Sequence, residues 1–192
     1  MRDFKSLIFT TLCACLIALT PSCSFIHRIA APAGHEKKLI DDTARQAQAH
    51  IALGEYKKAL ELYSTVYDKY HYPDMRGSYA RAGDQIRKSA DAMYQKKDFA
   101  EAGTVYNTLF ESGITTRDFA TSLPFDDDYL TGQMKACSKA LLEAGLTIYR
   151  DGKLEEAISI WKKGLAFDRD NKEIKSTIET ATTQLQNLKN LK

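Results

Sequence analysis

The sequence is poor in the residues that punctuate sheets. Four prolines and ten glycines in 192 residues are too few for the turns of an all-β protein. No uninterrupted apolar run reaches the about 20 residues that a membrane-spanning helix requires. An excess of one charge is missing as well: 27 Lys and Arg face 25 Asp and Glu, the net is +2, and the signs are interleaved along the chain. A nucleic-acid partner, which calls for basic charge gathered on one face, is therefore not expected. Catalytic signatures are also lacking. There is no G-x-S-x-G, P-loop or dinucleotide fingerprint, and His27, His35, His50 and His71 stand at no metal-ligand spacing. The expectation is a protein that is not an enzyme and has no cofactor, metal or small-molecule substrate.

What is present favours helix. The chain is 44% hydrophobic and 27% charged, long enough for one well-buried domain, and rich in Ala, Leu, Lys, Glu and Gln. An all-α fold follows. The first residues stand apart from it: "MRDFK" is a short net-basic start, "SLIFTTLCACLIAL" an apolar stretch of about fourteen residues, and "TPSC" follows.

This layout resembles a bacterial lipoprotein precursor, in which a small residue precedes a cysteine that is lipidated and becomes the new N-terminus. Here Ser22 precedes Cys23, giving a signal over 1–22, a linker over 23–35 and a helical domain over 36–192. Leu19 sits one place further upstream than the pattern asks, with Thr20 and Pro21 behind it. A competing site, Cys15 in "LCAC", fits locally but leaves an apolar region of only about seven residues. The resemblance implies a lipid anchor at Cys23. Ser24, not being Asp, implies delivery to the outer membrane, facing the periplasm. The alternative is a plain cleaved signal and a soluble periplasmic protein.

Three segments of the remaining chain share one template. Tyr56 is followed by Ala59, Leu60, Tyr63, Val66 and Tyr67; Phe99 by Ala102, Gly103, Tyr106, Leu109 and Phe110; Leu154 by Ala157, Ile158, Trp161, Gly164 and Leu165. A helical period explains the spacing but not an Ala at +3 and an aromatic at +7 in every copy. Two residues before each leading residue stand Gly54, Lys97 and Gly152, and seven before those Ala47, Ala90 and Gly145. Small residues there let two helices approach closely, so each copy reads as a hairpin. The pattern of small residue, turn Gly, aromatic, Ala and aromatic resembles the tetratricopeptide repeat. The resemblance implies an α-solenoid of three such hairpins, over about 36–72, 73–111 and 127–169.

The copies are further apart than a contiguous array allows, 43 and 55 residues from turn to turn against about 34. Elongated first helices, Pro73 to Lys96 and Asp128 to Arg150, absorb part of the excess. Met75, Tyr79, Ala82, Ile86, Ala90 and Met93 mark the apolar stripe of one; Leu130, Met134, Cys137, Leu141, Ala144 and Ile148 mark that of the other. An insertion over 112–126 takes the rest. Asp170 and Glu173 have capping-box spacing before a final helix over 171–190. That helix carries Ile174, Ile178, Ala181, Leu185 and Leu188 on one face, with Lys172, Lys175, Glu179 and Gln186 on the other. It suits a cap that closes the stack.

Three features could carry chemistry, and each has a duller explanation. Cys137 is the body's one thiol, and its place on an apolar stripe suits core filling better than reactivity; a periplasmic redox or hydrolytic enzyme is the remote alternative. Asp126 to Asp128 lack a calcium loop's alternating ligands and suit a helix cap. Stacked hairpins form a concave face lined by their first helices. Its candidate protein-binding residues are Gln48 and Ile51, then Arg87, Asp91 and Tyr94, then Leu142, Leu146 and Tyr149. Packing against a neighbouring helix is the open alternative for each. Gln48 replaces the Asn of the family's peptide-carboxylate clamp, so that activity is not carried over. Phe119 and Phe125 in the insertion are a second contact candidate, or the aromatics that pin their own loop. The function implied is a lipid-anchored scaffold or adaptor for protein partners in assembly of an outer-membrane, pilus or secretion machine. An adaptor in polysaccharide export or cell-wall remodelling is the alternative.

Overall fold

The structure, a computed structural model, describes residues 33–191. The signal, Cys23 and all of the linker before Ala33 lie outside the described residues. What is described is all-α: α1 (Ala33–Ala52), α2 (Tyr56–Tyr70), α3 (Pro73–Gln95), α4 (Phe99–Glu111), α5 (Asp127–Arg150), α6 (Leu154–Leu165) and α7 (Lys172–Asn190). Two short 3-10 turns, Ile114–Thr116 and Ala120–Ser122, lie between α4 and α5. None of these helices is long and apolar enough to cross a membrane. The first begins three residues before the expected boundary, with Glu36 in its first turn complementing the helix dipole.

Helices α1 and α2, α3 and α4, and α5 and α6 pack as consecutive pairs, and each pair is joined by the same turn. In the first, the Gly54 N–H donates to the Ile51 carbonyl at 3.0 Å and the Glu55 N–H to the His50 carbonyl at 2.9 Å. Lys97 to Tyr94 (2.9 Å) and Asp98 to Met93 (3.0 Å) repeat this in the second, and Gly152 to Tyr149 (3.0 Å) and Lys153 to Ile148 (3.2 Å) in the third. These paired bonds satisfy the last carbonyls of the first helix through a residue in the left-handed region. Gly54, Lys97 and Gly152 hold φ values of 74°, 65° and 78°. The next helix then begins at Tyr56, Phe99 or Leu154, the leading residues of the sequence template.

The template residues are buried among the packed helices. Ala59, Ala102 and Ala157 have no exposed surface, and Tyr63, Tyr106 and Trp161 are almost as deeply buried. Gly103 departs from the Leu or Ile of the other copies because the Phe167 ring, from the turn after α6, fills its space: a Cβ on Gly103 would lie 2.3 Å from that ring. Two expected details shift. The cap of α7 is Asn171, whose side chain accepts from the Ile174 N–H at 3.0 Å, one residue later than Asp170. The buried stripe of α5 passes from Leu141 to Leu142 and Gly145, leaving Ala144 exposed. A strict 3.5-residue repeat drifts around a 3.6-residue helix, so the buried face moves by about one position over this length.

Helix α7 packs on α6 and closes the last pair. Ile174 and Ala181 are fully buried there, while Lys172, Lys175, Glu179 and Gln186 face solvent. The middle turn carries a specific cost, since a non-glycine residue in the left-handed region is unfavourable by about 1–2 kcal/mol. Lys97→Gly is expected to stabilise the protein by about 0.5–1 kcal/mol, the gain from relieved strain less the entropy of glycine. Urea unfolding of the two chains measures it, and a Lys97→Gly chain less stable than wild type would contradict the turn geometry.

Candidate functional site

The candidate residues of the first helices do not form one open face. Ile51 and Leu142 are buried in the core, which removes them as partner contacts. The reason is the pairing itself: both sit on the flank of the first helix that meets the second. Leu146 packs against a smaller apolar cluster built around Trp161 and Ile174. Tyr149 joins it at the edge, its ring 5.9 Å from that of Trp161 and its hydroxyl donating to Gln184 Oε1 at 2.6 Å. Tyr94 sets its ring edge-on to Phe99, 5.3 Å away across the turn.

Arg87 and Asp91 are engaged with each other and with the rest of the fold. Asp91 Oδ1 accepts from the Tyr106 hydroxyl at 2.6 Å and from the Tyr129 hydroxyl at 2.7 Å, and Asp91 Oδ2 accepts from Arg87 Nη1. Arg87 also donates from Nε and Nη2 to Asp84 Oδ1 at 3.0 and 2.8 Å, and its guanidinium lies 5.8 Å from the Tyr129 ring centre. One carboxylate thus ties α3 to α4 and α5. Burial, followed by the hydrogen bond to Asp91, pushes both the Tyr106 and the Tyr129 phenols above their ordinary value. Burial also works to raise the Asp84 carboxyl. Hydrogen bonds from Lys88 and Arg87, with their charges, outweigh it and hold Asp84 below its ordinary 3.8.

Phe119 and Phe125 are corrected as well. They are 5% and 7% exposed, so they pin the insertion from within and offer no surface to a partner. Phe119 lies 5.4 Å from Tyr67, edge to face, and 5.3 Å from Tyr79. Ile114 is fully buried against Gly83 of α3, where a Cβ would stand 2.5 Å from its Cδ1. Asp118 accepts from the Tyr67 hydroxyl at 2.5 Å and from Arg76 Nη2 at 2.6 Å, and Arg117 pairs with Asp68. The apolar anchors dominate, because a buried Ile or Phe contributes roughly 2 kcal/mol and an exposed ion pair about 1 kcal/mol or less.

What remains open is the other side of α3. Gly77, Ala80, Arg81, Asp84, Gln85 and Lys88 line a shallow groove of about 510 Å³ against Ser122 and Pro124 of the insertion. Gln48 of α1 reaches this face, donating to Gln85 Oε1 at 2.9 Å. Of these residues only Gln48 was singled out from the sequence, although Arg81, Gln85 and Lys88 make a polar stripe opposite the apolar one. Asp126 is a cap, accepting from the Tyr129 N–H at 2.8 Å, and Asp127 accepts from the Thr115 hydroxyl at 2.5 Å. No group of three or more His, Cys, Asp or Glu side chains among the described residues is arranged to hold a metal ion. Cys137 is fully buried, and that burial pushes its thiol up to about 12, where it carries no thiolate at neutral pH.

No protein-family model matches the chain, and no curated protein matches it.

The depressed Asp84 carboxyl gives this face a pH signature. A folded-state value below the unfolded one adds stability that is complete above the ordinary carboxyl range and is lost as pH falls through the folded value. Asp84→Asn should lower stability by up to about 1 kcal/mol at pH 7, the range of a partly exposed pair. The gap should narrow as pH falls below the ordinary carboxyl range and close once Asp84 is protonated in the folded chain as well. Urea unfolding across that range checks it; a gap that is constant with pH would show that Asp84 is not held by its cationic neighbours.

Proposed function

We propose that the chain is a lipid-anchored tetratricopeptide scaffold of the bacterial envelope, three hairpins stacked as a solenoid and capped by α7, that gathers protein partners of an envelope assembly machine. The observation that carries this reading is the turn that recurs three times with the same hydrogen bonds and a left-handed residue at the same place. Each copy places a buried Ala and a buried aromatic at the same distance behind it. An isolated hairpin cannot bury enough surface to stand alone, and stacking neighbours supplies the missing cover. The product of stacking is an extended surface lined by first helices, suited to a partner's chain rather than to a small substrate.

The part of that surface left free by internal contacts is the groove along α3. Its polar side chains, Arg81, Gln85 and Lys88, make hydrogen bonds without demanding a deep pocket, and the exposed Pro124 supplies apolar contact beside them. A partner with an extended, polar segment fits such a groove. The insertion contributes one wall of it, so the length that distinguishes this chain from a contiguous array also shapes its contact surface.

Replacing Gln85 with a photo-crosslinking residue in the full chain, in envelopes, should capture a partner as one adduct of discrete mass. The same residue at Lys162, on the exposed side of α6, should not. Equal capture at both positions, or none at Gln85, would overturn the groove as the scaffold's contact surface. The identity of the captured protein then separates an assembly machine from polysaccharide export or wall remodelling.

A further inference from the structure

From Gly113 to Leu123 the insertion is hydrogen-bonded to α2 and α3 through side chains alone. Its backbone bonds are internal: the Thr116 N–H donates to the Gly113 carbonyl at 3.1 Å, Ala120 to Arg117 at 2.9 Å, and Ser122 to Phe119 and Leu123 to Ala120 at 2.9 Å each. Among the described residues no backbone–backbone bond joins the segment to α2 or α3. Such a unit can leave the stack without breaking the backbone ladder of any helix it covers. It has a joint at each end. Gly113 holds φ 64°, a region that glycine enters without steric cost, and Leu123 is extended, as the residue before a proline must be.

Two ion pairs fasten the outer side of the segment. Arg117 bonds Asp68 of α2 through both Nη atoms, and Asp118 joins Arg76 of α3 and the Tyr67 hydroxyl. The Asp68 and Asp118 side chains are about half exposed, so water and salt reach both pairs. One feature of the seated state is unfavourable. Tyr79 has no exposed surface, and among the described residues its hydroxyl has no hydrogen-bond partner. Arg117, the cation that acts on this phenol, donates to Asp68 instead. The Tyr79 ring is stacked on Tyr63, centroids 5.1 Å apart and planes 9° from parallel, and Phe119 of the insertion lies against it. A hydroxyl shut away from water with nothing to bond is costly, and lifting Phe119 relieves that cost. Ser122 and Pro124 of the same segment form one wall of the α3 groove. The groove is therefore complete only while the segment is seated.

We propose that residues 113–125 are a strap that lifts from α2 and α3 as a unit while the helices stay folded, is latched by the Arg117–Asp68 and Arg76–Asp118 pairs, and assembles the α3 groove when seated. This rests on the reading of that groove as the contact surface. A partner in the groove touches the strap's wall and so favours the seated state. By linkage, whatever loosens the latch weakens the partner.

The test is native-state hydrogen exchange on the full chain, under conditions where exchange follows the opening equilibrium. Amides of Thr116, Arg117, Ala120, Ser122 and Leu123 should exchange as one group, more readily than those of Ile86 in α3 and Tyr106 in α4. Arg117→Gln should speed the group by up to about fivefold, the range of a partly exposed ion pair, and leave Ile86 and Tyr106 unchanged. Exchanging the two charges, Asp68→Arg with Arg117→Asp, should return the group toward the wild-type rate. Tyr79→Phe, which removes the unpaired hydroxyl, should slow it. Exchange of the group only together with the helices, or a group rate that Arg117→Gln leaves unchanged, overturns the strap; a rate that Tyr79→Phe does not slow overturns the hydroxyl's part in it. Crosslinking from position 85 in envelopes is read beside these rates, and should fall in Arg117→Gln and recover in the charge exchange. Capture that Arg117→Gln leaves unchanged while the strap's exchange quickens overturns the link between strap and groove. Absence of capture in every chain removes the groove as contact surface and leaves the strap standing on its exchange.

Discussion

The helices of the third pair are held at the distance at which a small residue on the first meets an aromatic ring on the second. A Cβ on Gly145 would lie 2.1 Å from Trp161 Nε1, so the indole occupies the space that any side chain at 145 would need. The same ring is tied to the facing helix, its N–H donating to the Leu142 carbonyl at 3.1 Å. Ala47 and Ala90 occupy the equivalent positions, fully buried, in pairs whose rings are the smaller Tyr63 and Tyr106. The recurring turn stands at the same sequence distance from the small residue and the ring in each copy.

The irregularities of the chain follow from that regular base. Because the middle copy has Gly103 where its neighbours have Leu60 and Ile158, it leaves a hole, and Phe167 from the following pair fills it. Because α3 is long and has Gly83 on its flank, it offers a seat to Ile114, and the insertion folds back onto the stack instead of projecting from it. Asp91 is the polar counterpart of these apolar locks, one carboxylate accepting from Tyr106, Tyr129 and Arg87 across three helices. Truncating such a group strands its donors, which costs more than the bonds return in an exposed setting. Among the described residues, these locks leave the polar side of α3 uncovered.

Local rules made much of this legible. Positions of the turns, the leading residues of α2, α4 and α6, the buried Ala and aromatic of each copy and the polar back of α7 all depend on spacing within one or two helices, and spacing is written in the sequence. Contacts between distant parts are not. Nothing near Gly103 announces Phe167, and nothing near Asp91 announces Tyr129, 38 residues away. The candidate face was over-read for this reason: Ile51, Leu142, Phe119 and Phe125 have the right residue types for a binding surface, and the same apolarity placed them in the core. Arg81, Gln85 and Lys88 could have been chosen instead, since a polar stripe opposite an apolar one is a property of the helix alone. Asn171 in place of Asp170 as the cap is a one-residue difference that only the bond to Ile174 decides.

The closeness of ring and small residue is most directly tested at Gly145 and Trp161. Gly145→Ala adds a single methyl group to a helix interior where alanine is otherwise the better residue. If Trp161 fills that space, the change lowers stability by about 1–3 kcal/mol through overcrowding, and the emission of the displaced indole shifts to the red. If the Gly145→Ala chain is as stable as wild type or more so, with tryptophan emission unchanged, the helices are not set by this contact.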